Sequence, residues 1–93
     1  MVSLYVNPEK IQGELTIRTW EIGDRIKPIG MKGSKLISDI LKDAKIPANM
    51  KKDQLVVLDN EKVIWCVGFS ISRDVIANPK SKIIKLSIEL LNS

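Results

Sequence analysis

The segment 23–35, Gly-Asp-Arg-Ile-Lys-Pro-Ile-Gly-Met-Lys-Gly-Ser-Lys, combines residue types that could bind an anion. Gly23, Gly30 and Gly33 can take backbone angles that other residues avoid, so we assign them a role in loop geometry. The loop leads into an expected helix, whose free N–H groups would favour phosphate. A tight turn, with Asp24 bonded to nearby backbone or to an arginine, explains the same residues without a ligand. Both interpretations stay open at this point.

Residues 30–35 superficially resemble a Walker A phosphate-binding loop. That motif requires GxxxxGK followed by Ser or Thr, whereas here Gly33-Ser34-Lys35 follows a shorter spacing. We therefore do not expect an ATP site, and we expect no cofactor in this domain.

The chain has no histidine and a single cysteine, Cys66. Without histidine, His-ligated zinc, Ser-His-Asp triads and the commonest general base are excluded. Cys66 lies in the apolar run 63–67 and is expected to be buried. We assign no catalytic residue and no metal ligand, so the domain alone is not expected to be an enzyme.

Basic residues concentrate in the middle of the chain. Between Arg18 and Lys52 there are nine Lys or Arg residues against four acids, so the net charge of +4 comes from this stretch. If these side chains share a face, they form a patch that attracts phosphate backbones. An ordinary solvated surface is the alternative.

The length of 93 residues fits one domain, and we assign residues 1–93 to it. No apolar run approaches the roughly 20 residues that a membrane-spanning helix needs. The N-terminal sequence MVSLYVNPEK lacks the pattern of a secretory signal. We therefore expect a cytoplasmic domain without a membrane partner.

Periodic patterns predict a strand before the glycine-containing loop and a helix after it. Residues 14–19 alternate apolar and polar side chains, as in a half-buried strand, with Arg18 facing away from the core. Apolar residues recur at helical spacing over 35–44, with Ser34 as the predicted N-cap and Pro47 beyond the end.

The second half of the chain predicts antiparallel strands. Residues 55–58 and 63–67 flank the polar segment 59–62, as in a β-hairpin, after a short helical turn around 49–53. Residues 84–90 alternate apolar and polar side chains, as in a strand with one wet face. The expected fold class is α+β, a small single domain with one main helix packed on a mainly antiparallel sheet or sandwich.

The run TIRTW-x-x-GDRIKPIGMKGSK, followed by a helix and by DAKIP, resembles the C-terminal domain of bacterial tRNA(Ile)-lysidine synthetases. The pattern of that family is approximately R-x-R-x-x-GDR-x-x-P-x-GM-x-G-x-K…D-x-K-I-P. The likeness continues through VIWCVG and extends from Leu15 to Leu90. Two departures reduce the basic surface: Glu21-Ile22 replaces a usual Arg-Pro pair, and Ser70 replaces a frequent arginine, for which Arg73 is a candidate substitute.

The resemblance implies a parent enzyme that uses ATP to attach lysine to a cytidine in the tRNA anticodon. It implies that this domain holds tRNA(Ile) around the acceptor stem and contacts the parent's other domains. The parent's catalytic Ser-Gly-Gly-x-Asp-Ser loop is absent here, since no two glycines of this chain are adjacent. By motif position, the residues expected to contact the RNA backbone are Arg18, Arg25, Lys27, Lys32, Lys35 and Lys45.

Two further expectations concern aromatic residues and partners. Trp20 follows Arg18 by two positions and is a candidate for stacking on RNA, with packing as the alternative, whereas Trp65 is expected in the core. The competing hypothesis is a module that packs on the parent's other domains, or forms a homodimer, without touching RNA. An exposed apolar patch would favour that hypothesis, and a basic face would favour RNA.

Overall fold

The structure is a computed structural model that describes residues 2–89. Leu90, the last residue of the predicted C-terminal strand and of the family likeness, lies outside these residues. All strand pairs within 2–89 are antiparallel. The elements over this range are β1 (Val2–Val6), a 3-10 helix (Pro8–Lys10), β2 (Leu15–Thr19), β3 (Arg25–Ile26), β4 (Lys35–Leu36), α1 (Ile37–Asp43), α2 (Ala48–Lys51), β5 (Leu55–Asp59), β6 (Lys62–Cys66), β7 (Ser70–Ile71) and β8 (Ile84–Ile88).

A four-stranded sheet in the order β2-β5-β6-β7 forms the middle layer. Its centre is the predicted hairpin of β5 and β6, which is confirmed, with Asn60 in the tight turn at a φ of 57°. Asparagine tolerates this left-handed conformation better than most residues do, which suits it to a two-residue hairpin turn. The short helical turn predicted around 49–53 is present as α2, one residue earlier at its start.

Because of a β-bulge, the hairpin contributes side chains to two hydrophobic cores, one on each face of the sheet. The register shifts between Val57 and Leu58, so that Val57 pairs with Trp65, Leu58 pairs with Val63, and Ile64 is the extra residue. On one face of the sheet the buried residues are Ile26, Ile37, Leu41, Val56, Leu58, Val63 and Cys66. On the other face they are Val6, Val57, Ile64, Trp65 and Val75. Burial on both faces explains why the two strands are apolar almost throughout.

Helix α1 covers the first face through Ile37 and Leu41, both fully buried. The prediction that Ser34 caps a helix starting at Lys35 is wrong. Lys35 and Leu36 instead pair with β3, and the N-cap is Leu36, without a side-chain capping bond. Helical periodicity had assigned Lys35 and Leu36 to the first turn of the helix, but both residues belong to the strand pair instead. A non-local contact therefore decides where this helix begins.

The second face is covered by a two-stranded sheet of β1 and β8, paired from Val2 with Ile88 to Val6 with Ile84. Leu4, Leu86 and Ile88 pack against the second core. The predicted strand 84–90 is thus confirmed over its described part. The α+β class is confirmed as well: a helix lies on one face of an antiparallel sheet and a second sheet lies on the other. No helix within residues 2–89 has the length and apolarity needed to cross a membrane.

Asp59 joins the segment before β2 to the end of the hairpin. Its carboxylate is 6% exposed and accepts the backbone N–H groups of Gln12 at 2.8 Å and Gly13 at 2.7 Å. These two charge-assisted bonds join segments that are more than forty residues apart in the sequence. They fix the position of the start of β2.

Replacing Asp59 with alanine should lower the free energy of unfolding by about 1–3 kcal/mol, because two backbone donors lose a charged acceptor. Asp59→Asn should cost less, since an amide oxygen can accept one of the two bonds. Urea unfolding measures both changes, with Glu61→Ala at the exposed hairpin turn as the control. An Asp59→Ala variant as stable as this control would contradict the assignment.

Candidate nucleic-acid interface

A bidentate ion pair between Arg18 and Asp24 fixes the entrance to the glycine-containing loop. Arg18 Nη1 donates to Asp24 Oδ2 at 2.8 Å, and Nη2 donates to Oδ1 at 3.0 Å. Asp24 Oδ2 also accepts the N–H of Glu21 at 2.7 Å, and the carbonyl of Asp24 accepts the N–H of Ile37 at 2.9 Å. One aspartate therefore connects β2, the turn after it and the first residue of α1.

The expected orientation of Arg18 is wrong. Arg18 lies opposite Val56, which is fully buried on the helix-covered face, and only one third of the arginine side chain is exposed. The side chains of 14–19 do alternate between the two faces of the strand. Both faces of the central sheet are covered, however, so neither is a plain solvent-exposed surface. Because its guanidinium is bound to Asp24, Arg18 has a structural role in this conformation.

The loop 27–34, called the basic loop below, is anchored from a distant part of the chain. Arg73 Nη1 donates to the carbonyl oxygens of Met31 and Gly33, at 2.8 Å each, and the Arg73 N–H donates to the Lys27 carbonyl at 2.8 Å. Pro28 forms a β-bridge with Ser72. Sequence reasoning considered Arg73 only as a substitute RNA contact. Its spacing of about forty residues from the loop gives no local signal for the anchoring role.

The glycines allow the chain to turn around this anchor. Gly23, Gly30 and Gly33 have φ values of 96°, 79° and 79°. An added Cβ at any of them would meet nothing within 4 Å, so glycine is required there by backbone conformation rather than by close packing. The resulting loop is held at its base by Arg25, whose Nε donates to Ser34 Oγ at 2.7 Å.

The six cations expected to contact RNA divide into two groups. Arg18, Lys27 and Lys35 lie within 4.0 Å of a carboxylate, provided by Asp24, Asp74 and Asp43 respectively. In the part of the chain that the structure describes, Arg25, Lys32 and Lys45 make no such ion pair, and all three are exposed. These three can contact an anion without first breaking an ion pair.

Four of the six cations lie on the basic loop or in the strands at its base: Arg25, Lys27, Lys32 and Lys35. Lys45 follows the end of α1 and has a φ of 57°. Its N–H donates to the Lys42 carbonyl, and the N–H of Ile46 donates to the Leu41 carbonyl, which together terminate the helix in a Schellman motif. The helix brings this end near the loop, since Lys35 contacts Asp43.

A groove of 440 Å³ lies between the basic loop, α1 and the turn after β6. Its lining includes Met31 and Lys35 from the loop side, Asp43 from the helix, Phe69 from the turn and Ser70 from the start of β7. Ser70, where the family often has arginine, thus lies in the groove wall. At the other departure, Glu21 lies 4.0 Å from Arg18 and Ile22 is 95% exposed.

Charge pairing shifts the titration of the carboxylates. The hydrogen bonds from Arg18 lower the pKa of Asp24, although partial burial opposes them. The Lys35 contact lowers the pKa of Asp43, and the Lys62 contact lowers that of Asp74. All three acids therefore stay ionised near neutral pH, and each reduces the positive potential of the cations beside it.

The two tryptophans have packing roles. Trp65 is 4% exposed in the second core, as predicted. Trp20 packs against the first core, and its indole N–H donates to the Lys51 carbonyl at 2.7 Å. These contacts correspond to the packing alternative stated for Trp20, and stacking on RNA stays a prediction without further support.

The thiol of Cys66 is fully buried, and burial raises its pKa to about 11. The thiolate, which is the reactive form, is therefore scarce at neutral pH. Among residues 2–89, no three His, Cys, Asp or Glu side chains come together as possible metal ligands.

Comparison with known proteins assigns the family. The model of the TilS substrate C-terminal domain matches residues 15–88, from the start of β2 to the end of β8. The chain belongs to this family. A crystal structure of a TilS C-terminal domain superposes on it with a TM-score of 0.81 at 26% identity, covering 99% of this chain and 72% of that one.

Curated relatives include several tRNA(Ile)-lysidine synthases. The enzyme from Clostridium tetani is 35% identical over 91% of this chain, and that from Bacillus subtilis is 38% identical over 82%. The Symbiobacterium thermophilum enzyme is 35% identical over 70%. The matched regions are only 14–18% of the length of these relatives. The chain is therefore similar to one domain of much longer ligases.

The Asp24 pair predicts a pH-dependent contribution to stability. Asp24→Asn should lower the free energy of unfolding at pH 7 by roughly 1–3 kcal/mol, toward the lower end because Arg18 is partly exposed. A carboxylate with a lowered folded-state pKa stabilises the fold above its unfolded pKa of about 3.9, and loses this effect as pH falls through the folded value.

The difference between wild type and Asp24→Asn should therefore shrink below about pH 4. Urea unfolding at pH 7, 5 and 3 measures it, with Asp53→Asn on an exposed site as the matched control. A difference that is equally large at pH 3 and pH 7 would show that the Asp24 charge is not responsible.

Proposed function

We propose that this domain binds tRNA as a substrate-recognition module of a tRNA(Ile)-lysidine synthase. The contacts are to the phosphate backbone of a helical region, in the acceptor stem, and the domain carries out no chemical step itself. ATP binding and the attachment of lysine to cytidine belong to other parts of the enzyme. With tRNA as its partner, the domain is expected to act in the cytoplasm.

The observation that supports this proposal most strongly is the set of cations without ion pairs around an anchored loop. Arg25 and Lys32 are exposed, and Lys45 lies at the adjacent end of α1. The bonds from Arg73 hold the loop in shape before any partner arrives. Such preorganisation reduces the entropy lost on binding, so a few cations can give useful affinity.

Backbone contacts are sufficient for the proposed partner. Double-helical RNA hides its base edges in a deep, narrow groove and is recognised mainly through shape, phosphates and 2′-hydroxyls. Guanidinium and ammonium groups on a loop can follow such a surface. Lys27 and Lys35 form ion pairs with Asp74 and Asp43, whose side chains are 33% and 64% exposed, and ion pairs of that kind are weak enough to be exchanged for a phosphate.

A second candidate function is protein docking, either on other domains of the enzyme or in a homodimer. The observation in its favour is the exposure of large apolar side chains, with Ile29 at 56% and Met31 at 44% in the loop and Ile22 at 95% in the turn before β3. Contiguous exposed apolar surface often marks a protein interface. The two candidates differ in their salt dependence, because phosphate contacts weaken steeply with salt and apolar contacts do not.

The proposal is tested by fluorescence anisotropy with a short RNA hairpin between about 50 and 200 mM salt. Lys32→Ala should weaken binding several-fold at low salt and reduce the slope of log affinity against log salt by about one, because one phosphate contact is lost. Lys85→Ala is the matched control, since Lys85 lies over Tyr5 on the outer two-stranded sheet.

A second variant tests the same proposal by removing a negative charge instead of a positive one. Asp43→Asn removes the carboxylate that pairs with Lys35, so RNA binding should strengthen several-fold at low salt. No RNA binding at low salt, or equal effects of Lys32→Ala and Lys85→Ala, would contradict the proposal. Salt-insensitive self-association of the domain would instead support the docking function.

A further inference from the structure

The groove beside the basic loop has features that backbone binding does not require. Its walls combine the apolar groups of Pro28, Ile29 and Met31 with Ile40 of α1 and Phe69 from the turn after β6. It is an open groove on the surface and not an enclosed cavity. A helical phosphate backbone would pass over this surface without filling it.

Phe69 is the aromatic side chain that this groove presents. It is 44% exposed, whereas Trp20 and Trp65 are packed in the two cores. Tyr5 is exposed too, but it lies on the outer two-stranded sheet under Lys85. Among the aromatic residues that the structure describes, Phe69 alone lies beside the basic loop.

The turn that carries Phe69 is well defined. Gly68 has a φ of 87°, and the N–H of Phe69 donates to the Cys66 carbonyl at 2.9 Å. Cys66 is fully buried in the first core. The ring is therefore displayed from a turn tied to the central sheet, and little conformational freedom would be lost when a flat ligand stacks on it.

One cation, Lys35, lines the groove, and it is paired there with Asp43. An exposed pair of this kind is weak enough for a phosphate to take the place of the carboxylate. Asp43 also lines the groove, but its carboxylate is 64% exposed and already satisfied by Lys35. A ligand that fits this combination has a flat apolar part joined to an anionic group. An unstacked nucleotide has both parts.

We propose that the groove binds one unpaired nucleotide next to an RNA helix, with its base stacked on Phe69 and its phosphate beside Lys35. The inference rests on the RNA-binding function proposed above and adds a second type of contact to it. The basic loop holds the helix, and the groove holds a nucleotide where the helix ends or is interrupted. The domain would then favour a helix with a single-stranded extension over a blunt one.

A protein partner fits the groove less well. Specific protein interfaces usually bury about 1,200–2,000 Å² in total and have few charges at their centre. Here the Lys35–Asp43 pair lies in the groove itself, and a protein side chain seated there would desolvate both charges. The phosphate of a nucleotide can instead take the place of the Asp43 carboxylate beside Lys35, because that carboxylate is exposed enough to be solvated when released.

The test compares two RNA hairpins with the same stem, one blunt and one with a single-stranded 3′ extension, by fluorescence anisotropy at low salt. The extension should strengthen binding to the wild-type domain about five-fold or more, as expected for one stacked base. Phe69→Leu keeps an apolar side chain but removes the ring, and should abolish this gain while leaving the blunt hairpin's affinity unchanged. Thermal unfolding verifies that the variant is folded.

Tyr5→Leu is the matched control, because it removes an exposed aromatic ring that does not line the groove and should retain the gain. If the blunt hairpin binds but the extension gives no gain, or if Phe69→Leu retains it, the groove does not bind a nucleotide and the helix-binding proposal still stands. If neither hairpin binds, both proposals fail. Loss of the gain in Phe69→Leu alone supports the nucleotide site.

Discussion

The bidentate pair between Arg18 and Asp24 is the interaction on which the arrangement of the candidate interface depends. It ties the end of β2 to the residue that precedes β3, and the carbonyl of the same aspartate accepts the first N–H of α1. Asp24 therefore fixes where the loop and α1 begin relative to β2. Arg73 then fixes the far side of the loop from a segment about forty residues later. Arg18 and Arg73, together with Arg25 at the base of the loop, therefore shape the loop, while Lys32 lies on it without an ion pair among the described residues.

Local sequence patterns correctly predicted the elements that do not depend on contacts with distant segments. The hairpin of β5 and β6 follows from two apolar runs around a polar turn, and the C-terminal strand follows from strict alternation. The start of α1 was missed because Lys35 and Leu36 pair with β3, a contact that periodicity does not encode. The orientation of Arg18 was missed for a related reason. The central sheet is covered on both faces, so a polar residue in β2 lies against a layer instead of facing solvent.

The same is true of the candidate interface: its composition could be predicted from the sequence, but its contacts could not. The concentration of Lys and Arg in the middle of the chain, and the positions of the glycines, were readable from the sequence. Which cations are paired was not, because Asp43 and Asp74 come from other elements. The roles of Arg73 and Phe69 also depend on distant segments meeting at the loop. Charge density was one reason to propose an anionic partner, and only the folded arrangement distinguishes the paired cations from the unpaired ones.

We propose that the basic loop and the end of α1 bind the backbone of helical RNA. NMR shift mapping of the isotopically labelled domain, titrated at low salt with a tRNA(Ile) acceptor-stem hairpin, tests it most directly. The account predicts shifts concentrated at Arg25, Lys32, Lys35 and Lys45 that diminish as salt rises. No shifts with the RNA, together with shifts at the same residues on adding another fragment of the enzyme, would contradict the claim and make this surface a protein contact.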